Sequence, residues 1–502
     1  MSTPAEQTGF RGPRCWAISA ATGGLIGVWL TVALPATYHD GHMHVPLWLV
    51  APFAMLLLSI AAMPFINARA WHLHFPDFAF FLGSLTAAYY LLGFREPDAH
   101  SHGLPAGSSA MMHSALEYYA FIALVGGLYV VSGGIQVRVR GRGTIAANTL
   151  LLGVGAVLAN VVGTTGASML LIRPFMRMNK GRLRPIHVVL FIFIVSNCGG
   201  CLTPIGDPPL YLGYLKGVPF FWTLEHLWPN WLLVNGLLLG VFYAIDRWMV
   251  GRGEPIAGPL PRAGEHQGTP VAPMSIRGTV GLACLALMIL GVFIDPLLSS
   301  RGVLRGVPVG ATFQILVAVA AWRLGPRDIL AANEFTFFPV KEVGLLFMGI
   351  FATMTPALGY LSVHGPGLGI TTPTAFYFVG GSLSAVLDNA PTYLNFLQIA
   401  FANPELNPAA PGDTAITADT FRRFLFVEAG ADRTAGVKVL DAVSAGAVFF
   451  GAMTYIGNGP NFMVKAIAEA SGVRMPSFFA YLILAVVILL PILILNWLVL
   501  IR

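Results

Sequence analysis

Long stretches without a charged side chain recur along the chain, and short polar loops separate them. Eight of these stretches contain no Asp, Glu, Lys or Arg: residues 16–36, 45–65, 118–137, 144–172, 278–294, 306–322, 343–363 and 475–501. A helix needs roughly 20 apolar residues to cross the hydrocarbon core of a bilayer. The pattern therefore predicts an all-α polytopic membrane protein, surrounded by lipid and passing several times through the cell inner (plasma) membrane.

Composition and charge support this class of protein. Hydrophobic residues make up 56% of the 502 residues and charged residues only 10%, whereas soluble proteins carry about a quarter charged residues. The net charge of +6 comes from basic residues in short loops, as the positive-inside rule requires, and does not indicate a nucleic-acid partner. The motifs of phosphate-binding loops, zinc proteases and serine hydrolases do not occur, so we predict no catalytic residue and no cofactor.

The first 44 residues are predicted to form one helix and an external loop. Arg11 and Arg14 precede an apolar run that ends at Ala36. This arrangement is typical of a first membrane helix or of a signal sequence, and the length of the run favours a retained helix.

Basic clusters on both sides of residues 144–172 determine how we interpret that stretch. Arg138, Arg140 and Arg142 precede it, and five basic residues follow it: Arg173, Arg177, Lys180, Arg182 and Arg184. Both clusters are predicted to be cytoplasmic. A stretch that starts and ends on one side must turn back, so we predict a re-entrant hairpin with its tip near residues 160–165.

Two proline-rich interruptions suggest an internal repeat. Residues 203–209 (Thr-Pro-Ile-Gly-Asp-Pro-Pro) cannot continue a helix, and they align without gaps on residues 454–460 (Thr-Tyr-Ile-Gly-Asn-Gly-Pro). We predict two inverted-topology repeats, 45–250 and 278–502, joined by a cytoplasmic linker at 251–277. The second repeat would contain its own hairpin at 371–403. Broken segments at equivalent positions of two halves mark the binding site of many transporters.

Two isolated acids lie at these interruptions and are the candidate ligands of a transported Na⁺. Asp207 is the only charged residue between Arg184 and Lys216, and Asp388 is the only one between Glu342 and Glu405. An Asp at the centre of a membrane helix costs roughly 2.5–3.5 kcal/mol, so it persists where something compensates. Helix capping is the alternative explanation for both residues.

Neutral oxygens near the same points complete the candidate site. Small hard cations bind several oxygen ligands, some of them supplied where a helix unwinds. The candidate neutral ligands are Asn160, Thr164, Thr165, Asn389, Thr392 and Asn458. Ser196 and Asn197 would line the same cavity or serve packing, and ordinary helix packing is the alternative for the threonines.

The remaining polar residues have simpler explanations. Cys198 and Cys201 have redox or metal spacing, but no second pair completes a zinc site, which favours packing. Six histidines are assigned to external loops, where they are solvated or bind a metal or sense pH: His39, His42, His44, His100, His102 and His113.

Four stretches carry a resemblance to a known family: residues 159–174, 196–209, 387–393 and 455–463. Over residues 45–500 the chain resembles the ion-transporter superfamily of citrate carriers, arsenite carriers and sodium/proton antiporters, above all its citrate-transporter-like branch. The resemblance implies about 11 transmembrane helices plus two re-entrant hairpins, a homodimer and an elevator-like movement of the hairpin domain. The Ser-Asn-Thr tips of the dicarboxylate branch are replaced by Asn160 with Thr164-Thr165 and by Asp388-Asn389.

The leading functional hypothesis is secondary active exchange of Na⁺ (or Li⁺) for H⁺, with both ions competing for the two acids. The alternative is a Na⁺- or H⁺-coupled carrier of citrate or another carboxylate, whose anion would lie at half-helix N-termini. A membrane-embedded enzyme or a channel is the third class.

Overall fold

The protein is described by a computed structural model that covers residues 12–39, 42–96, 104–139, 143–251, 274–300, 307–407, 418–425 and 435–502. Within these ranges the regular structure is helical except for two small two-stranded sheets. The prediction of an all-α polytopic membrane protein is thereby confirmed.

The first half of the chain contains seven helices in these ranges: α1 (Pro13–Ala33), α2 (Ala51–Gly93), α3 (Ala106–Gly133), α4 (Ile145–Met178), α5 (Pro185–Ile194), α6 (Pro208–Leu215) and α7 (Trp222–Gly251). Strands β1 (Thr37–His39) and β2 (His42–His44) pair antiparallel, and so do β3 (Gln136–Val139) and β4 (Met274–Arg277).

The second half contains the helices α8 (Thr279–Val292), α9 (Ile294–Ser300), α10 (Val309–Leu324), α11 (Arg327–Ala332), α12 (Phe338–His364), α13 (Pro373–Ala375), α14 (Gly381–Val386), α15 (Asn389–Ala402), α16 (Ala418–Leu425), α17 (Ala435–Phe450), α18 (Gly459–Ala470) and α19 (Phe478–Asn496). A π-helical turn, Phe376–Gly380, joins α13 to α14, and a second one, Trp497–Ile501, follows α19.

Nine helical stretches in the described ranges are long and apolar enough to cross a membrane: Pro13–Ala33, Leu47–Pro64, Arg69–Gly93, Ala106–Gly133, Ile145–Met178, Trp222–Gly251, Phe338–Leu368, Ala435–Met453 and Phe478–Ile501. Three shorter apolar helices accompany them: Pro185–Gly200, Thr279–Val292 and Val309–Leu324. The expected number of about 11 crossings stays a prediction.

The chain forms two compact units, and the first comprises Met1–Ile122, Thr336–Thr371 and Leu394–Gly436. In this unit α2 packs against α1 and α12. Asn67 interrupts α2 with φ −154° and ψ 83°, so the two spans that the sequence predicts at 45–65 and 77–94 are observed as two helical segments. Phe121 stacks on Phe347 with ring centres 4.6 Å apart.

The second unit comprises Ala123–Phe335, Thr372–Tyr393 and Val437–Arg502. It contains both proline-rich interruptions and all eight candidate ligands. The described chain reverses direction inside α4, at Gly163, where φ is 77° and ψ is 155°. A Cβ on Gly155 would lie 2.9 Å from Cδ1 of Leu171, so residues on opposite sides of Gly163 lie next to each other.

Hydrogen bonds at the base of α4 show the same reversal. Asn148 and Asn179 exchange side-chain amide hydrogen bonds of 2.8 Å, although a straight helix would separate them by roughly 46 Å. Residues 145–178 therefore form two antiparallel helical arms. The second arm ends at Met178 rather than at the predicted residue 172, and the re-entrant position of this hairpin in a membrane stays a prediction.

Replacing Gly163 by Ala is expected to lower the free energy of unfolding by about 1–3 kcal/mol, because the left-handed φ strains any residue that carries a Cβ. The new methyl group would also lie 3.3 Å from the Ile205 carbonyl oxygen. Thermal unfolding in detergent measures the change. Gly236→Ala is the matched control, since a Cβ at that position would have no atom within 4 Å; equal melting temperatures for the two variants would contradict the argument.

The second predicted hairpin, 371–403, is interrupted where the sequence indicates. Helix α14 ends at Val386, Leu387 is extended with φ −102° and ψ 167°, and α15 begins at Asn389. That the two arms of residues 371–403 fold back on each other stays a prediction.

Three details differ from the sequence-based expectations. His113 lies within α3 rather than in a loop, because the helix begins at Ala106, well before the charge-free stretch 118–137. Residues 274–277 of the predicted linker form β4, whose Arg277 pairs with Gln136 of β3. Arg182, a member of the basic cluster predicted to be cytoplasmic, is only 3% exposed.

Several predictions fall on residues outside the described ranges. These are the N-terminal residues through Arg11, His100 and His102, Arg140 and Arg142, residues 252–273 of the linker, and parts of the second predicted repeat between residues 408 and 434.

Candidate functional site

Two hydrogen bonds tie the first interruption to the hairpin tip, and a third holds the interruption itself. The Thr203 hydroxyl donates to the Asn160 carbonyl oxygen over 2.6 Å and accepts a hydrogen bond of 3.1 Å from the Gly206 amide. The Thr164 amide donates to the Gly206 carbonyl oxygen over 2.8 Å. The unwound backbone thus finds partners inside the protein, as it must at membrane depth.

The second interruption repeats the same three bonds. The Thr454 hydroxyl donates to the Ala385 carbonyl oxygen and accepts from the Gly457 amide over 3.1 Å. The Asn389 amide donates to the Gly457 carbonyl oxygen over 3.2 Å. Thr164 therefore corresponds to Asn389, and the residues that follow the two glycines, Asp207 and Asn458, correspond to each other.

Asp207 lies where these elements meet. Its side chain is 1% exposed, and one carboxylate oxygen accepts hydrogen bonds from the Thr164 hydroxyl (3.1 Å) and the Asn458 amide (2.9 Å). The other oxygen accepts one from the Asn389 amide at 2.8 Å. All three donors are neutral, so they solvate the negative charge without cancelling it.

The carboxylate of Asp207 does not cap α6, the helix that follows it. Asp207 occupies the N-cap position of α6, but its side chain makes no capping bond to the described backbone of that helix. The capping interpretation is wrong for Asp207. The side chain turns towards the second interruption instead, where Asn389 and Asn458 supply donors.

Asp388 behaves differently. Its Oδ1 accepts a hydrogen bond of 3.0 Å from the Ala390 amide at the start of α15, so the capping interpretation is confirmed here. Its side chain is half-buried. The Thr392 hydroxyl donates to the Asp388 carbonyl oxygen over 2.9 Å, a bond within the same helix.

Two buried amide oxygens near Asp207 are left unsatisfied. Asn389 Oδ1 and Asn197 Oδ1 have no hydrogen-bond partner among the described residues. A Cβ on Gly451 would lie 3.5 Å from Asn389 Nδ2 and 3.6 Å from Asn197 Oδ1, so the two amides flank the same glycine. The bond to Asp207 fixes the orientation of the Asn389 amide, which leaves its oxygen free to bind a cation.

Asn160 and Thr165, two further predicted ligands, have other surroundings. The Asn160 amide donates to the carbonyl oxygens of Ala156 (3.0 Å) and Gly199 (2.7 Å) and accepts from the Leu202 amide (2.8 Å). The Asn160 side chain thus holds the loop that contains Gly199 and Leu202, rather than contacting Asp207.

Thr165 lines a cavity of about 20 Å³, large enough for one water-sized occupant. Gly163, Pro204 and Pro208 line the same cavity. Of the eight predicted ligands, four meet at one point: Thr164, Asp207, Asn389 and Asn458.

Asn461 joins the second interruption to Asn197 and is a residue that the sequence interpretation missed. Its oxygen accepts a hydrogen bond from the Asn197 amide, and its own amide donates to the carbonyl oxygens of Gly451 and Thr454, each over 2.9 Å. A signal was present, because Asn461 follows Asn458 by three positions and so lies on the same face of α18.

Comparison with known proteins gives one family. Residues 42–501 match the family model described as "Putative citrate transport". No curated protein matches the chain. The matched region contains both interruptions, the hairpin and Asp207, and it confirms the resemblance to citrate-transporter-like proteins.

Proposed function

Because the chain belongs to the citrate-transport family whose model matches residues 42–501, we propose that it carries citrate or another carboxylate together with Na⁺ or H⁺. Membership of this family and nine spanning-length helices in the described ranges make the chain a multi-pass membrane transporter. The identities of the substrate and of the coupling ion are what we propose beyond this.

The observation that carries the proposal is the buried Asp207 carboxylate with its three neutral donors. A buried ion is costly unless an opposite charge compensates it. A proton or a Na⁺ would supply that charge, and Asn389 Oδ1 and Asn197 Oδ1 offer further oxygens for Na⁺. We therefore assign Asp207 to the coupling cation, with Thr164, Asn389 and Asn458 as its partners.

The anion would lie next to this cation. Helices α6 and α18 both begin at this point, immediately after Asp207 and Asn458. Helix N-termini carry partial positive charge and attract carboxylates. A bound cation would add to that attraction, so binding of the two substrates would favour each other, which is the requirement for coupled transport.

Exchange of Na⁺ (or Li⁺) for H⁺, the leading hypothesis from the sequence, becomes the second candidate. The family description favours the carboxylate carrier. The feature that favours antiport is again Asp207, since a single carboxylate that holds either Na⁺ or a proton couples the two fluxes directly.

The decisive experiment uses purified protein in proteoliposomes. We expect uptake of labelled citrate that is driven by an inward Na⁺ or H⁺ gradient and stops when the gradient is dissipated. Citrate uptake without any dependence on a cation gradient would contradict the proposed coupling. A Na⁺-driven pH change in the lumen without citrate flux would instead establish antiport.

The proposed function includes an assembly and an orientation. The matched hydrogen bonds at Thr203 and Thr454 support two structural repeats, and we propose that they are inverted relative to each other in the membrane. As the family resemblance implies, we propose a homodimer in the cell inner (plasma) membrane with a hairpin-containing domain that moves.

A further inference from the structure

A buried polar cluster lies at the base of the hairpin, at the opposite end from its tip. We call it the anchor cluster, and it consists of Asn148, Asn179, Arg182, His187 and Asp246. Each of these residues is at most 3% exposed. The residues come from both sides of the hairpin, from the start of α5 and from the end of α7.

Asp246 is the centre of the anchor cluster. The Arg182 guanidinium forms an ion pair with its carboxylate. The Asn148 amide donates to the same carboxylate over 3.2 Å, and His187 Nε2 lies 3.3 Å from it. His187 Nδ1 accepts a hydrogen bond from the Arg184 backbone amide, so the ring hydrogen lies on Nε2 and is donated to Asp246.

The amide pair of Asn148 and Asn179 joins the two arms. On the side of the second arm, Arg182 Nε also donates to Asn179 Oδ1 over 3.1 Å. A buried ion pair contributes little net stability compared with apolar residues of the same volume, because desolvation offsets the attraction. What such a pair does supply is a defined geometry, since each bond fixes the position of one element relative to another.

That geometry extends to the candidate site. From Asn148 to Gly163 the first arm is a helix of roughly 22 Å, which ends beside Thr164. Helix α7 leads from Asp246 back to the turn that precedes the first interruption, where the Asn235 amide donates to the Cys198 carbonyl oxygen over 3.0 Å. Trp231 Nε1 donates to the Gly199 carbonyl oxygen over 2.8 Å.

We propose that Arg182 and Asp246 are positioning residues. They hold the hairpin in the position at which the Thr164 hydroxyl bonds to Asp207 and the Thr164 amide bonds to Gly206. The pair would thereby set the affinity of Asp207 for its cation from a distance. The effect on cation affinity rests on the proposed function, whereas the effect on the position of the tip does not.

The test is the double variant Arg182→Gln/Asp246→Asn, which removes both charges and keeps similar side-chain shapes. We expect the half-saturating Na⁺ or H⁺ concentration for citrate uptake to rise by about tenfold, with the maximal rate per folded transporter nearly unchanged. Hydrogen exchange should become faster at the Thr164 amide, which the Gly206 carbonyl oxygen holds. It should stay unchanged at the Gly457 amide, which Thr454 holds.

The matched control is Arg277→Gln/Asp328→Asn, an exposed ion pair of the same unit. If the anchor variant does not fold, Asn148→Ala removes the amide pair with Asn179 and one hydrogen bond to Asp246 but keeps the ion pair, and it should give the same effects in weaker form. Unchanged exchange at Thr164 in the folded variant would overturn the proposal. Faster exchange there, in a protein whose wild type shows no cation dependence, would support the positioning role and refute the proposed coupling instead.

Discussion

Replacing Asp207 by Asn is expected to reduce cation-coupled transport by roughly 100-fold or more, which corresponds to about 2.7 kcal/mol. Hydrogen bonds to a charged group contribute about 1.5–3 kcal/mol each, and three of them converge on this carboxylate. The amide of the variant has one acceptor oxygen instead of two, and its NH₂ group would face the donor of Thr164, Asn389 or Asn458. It also has no charge with which to bind Na⁺ or a proton.

Initial rates of gradient-driven uptake in proteoliposomes measure this loss, normalised to folded protein. Asp388→Asn is the paired variant, and its effect should be clearly smaller, because Asn also caps a helix well and the Asp388 side chain bonds to the Ala390 amide. Equal losses in the two variants would show that Asp388 binds the cation too, as the sequence suggests. Normal coupled transport by Asp207→Asn would refute the assigned role of Asp207.

Replacing Gly206 by Ala is expected to prevent folding or to abolish transport. A Cβ at this position would lie 2.1 Å from the Gly200 carbonyl oxygen and 3.1 Å from Asn160 Oδ1. The first neighbour is backbone, so the loop itself must move. Gly206 also accepts the hydrogen bond from Thr164 and directly precedes Asp207, so such a movement displaces the carboxylate.

Detergent-extracted yield, gel filtration and uptake measure the outcome. Gly240→Ala in α7 is the control, because a methyl group there would meet no atom within 4 Å, and it should behave as wild type. Gly457→Ala should be the milder of the two loop variants, since its nearest contact, the Gly451 carbonyl oxygen, would be 2.6 Å away. Full activity of Gly206→Ala would mean that the loop is less tightly packed than its contacts indicate.

The sequence predicts the hairpin tip and the central acid well because both leave a local signal. Basic clusters on either side of residues 144–172 require the chain to turn back, and Gly163 lies within the predicted tip. Asp207 stands out as a lone charge in an apolar region. The alignment of 203–209 with 454–460 also places Asn458 opposite Asp207, and the structure confirms that the two side chains are in contact.

Other features depend on three-dimensional contacts that no local pattern encodes. Asn160 is a candidate cation ligand by residue type, yet its amide oxygen accepts a hydrogen bond from the Leu202 amide and its NH₂ group donates to the Gly199 carbonyl oxygen. Arg182 belongs to a basic loop by its position in the chain, but Asp246, distant in sequence, pairs with it in the interior. In both cases a partner far along the chain decides whether a polar side chain is buried.

The pairing of Asp207 with Asn458 has a consequence for the response to membrane voltage. The two residues occupy matching positions, yet one is an acid and the other an amide, so their contact carries one negative charge rather than two. When a single monovalent cation is bound, this pair is electrically neutral. Without the cation, the negative charge of Asp207 would have to move through the transmembrane electric field, at roughly 2.3 kcal/mol per 100 mV for a full crossing. The return of the unloaded carrier is therefore one step at which we expect the resting potential to act, and the charge of a bound carboxylate adds its own contribution to the loaded step.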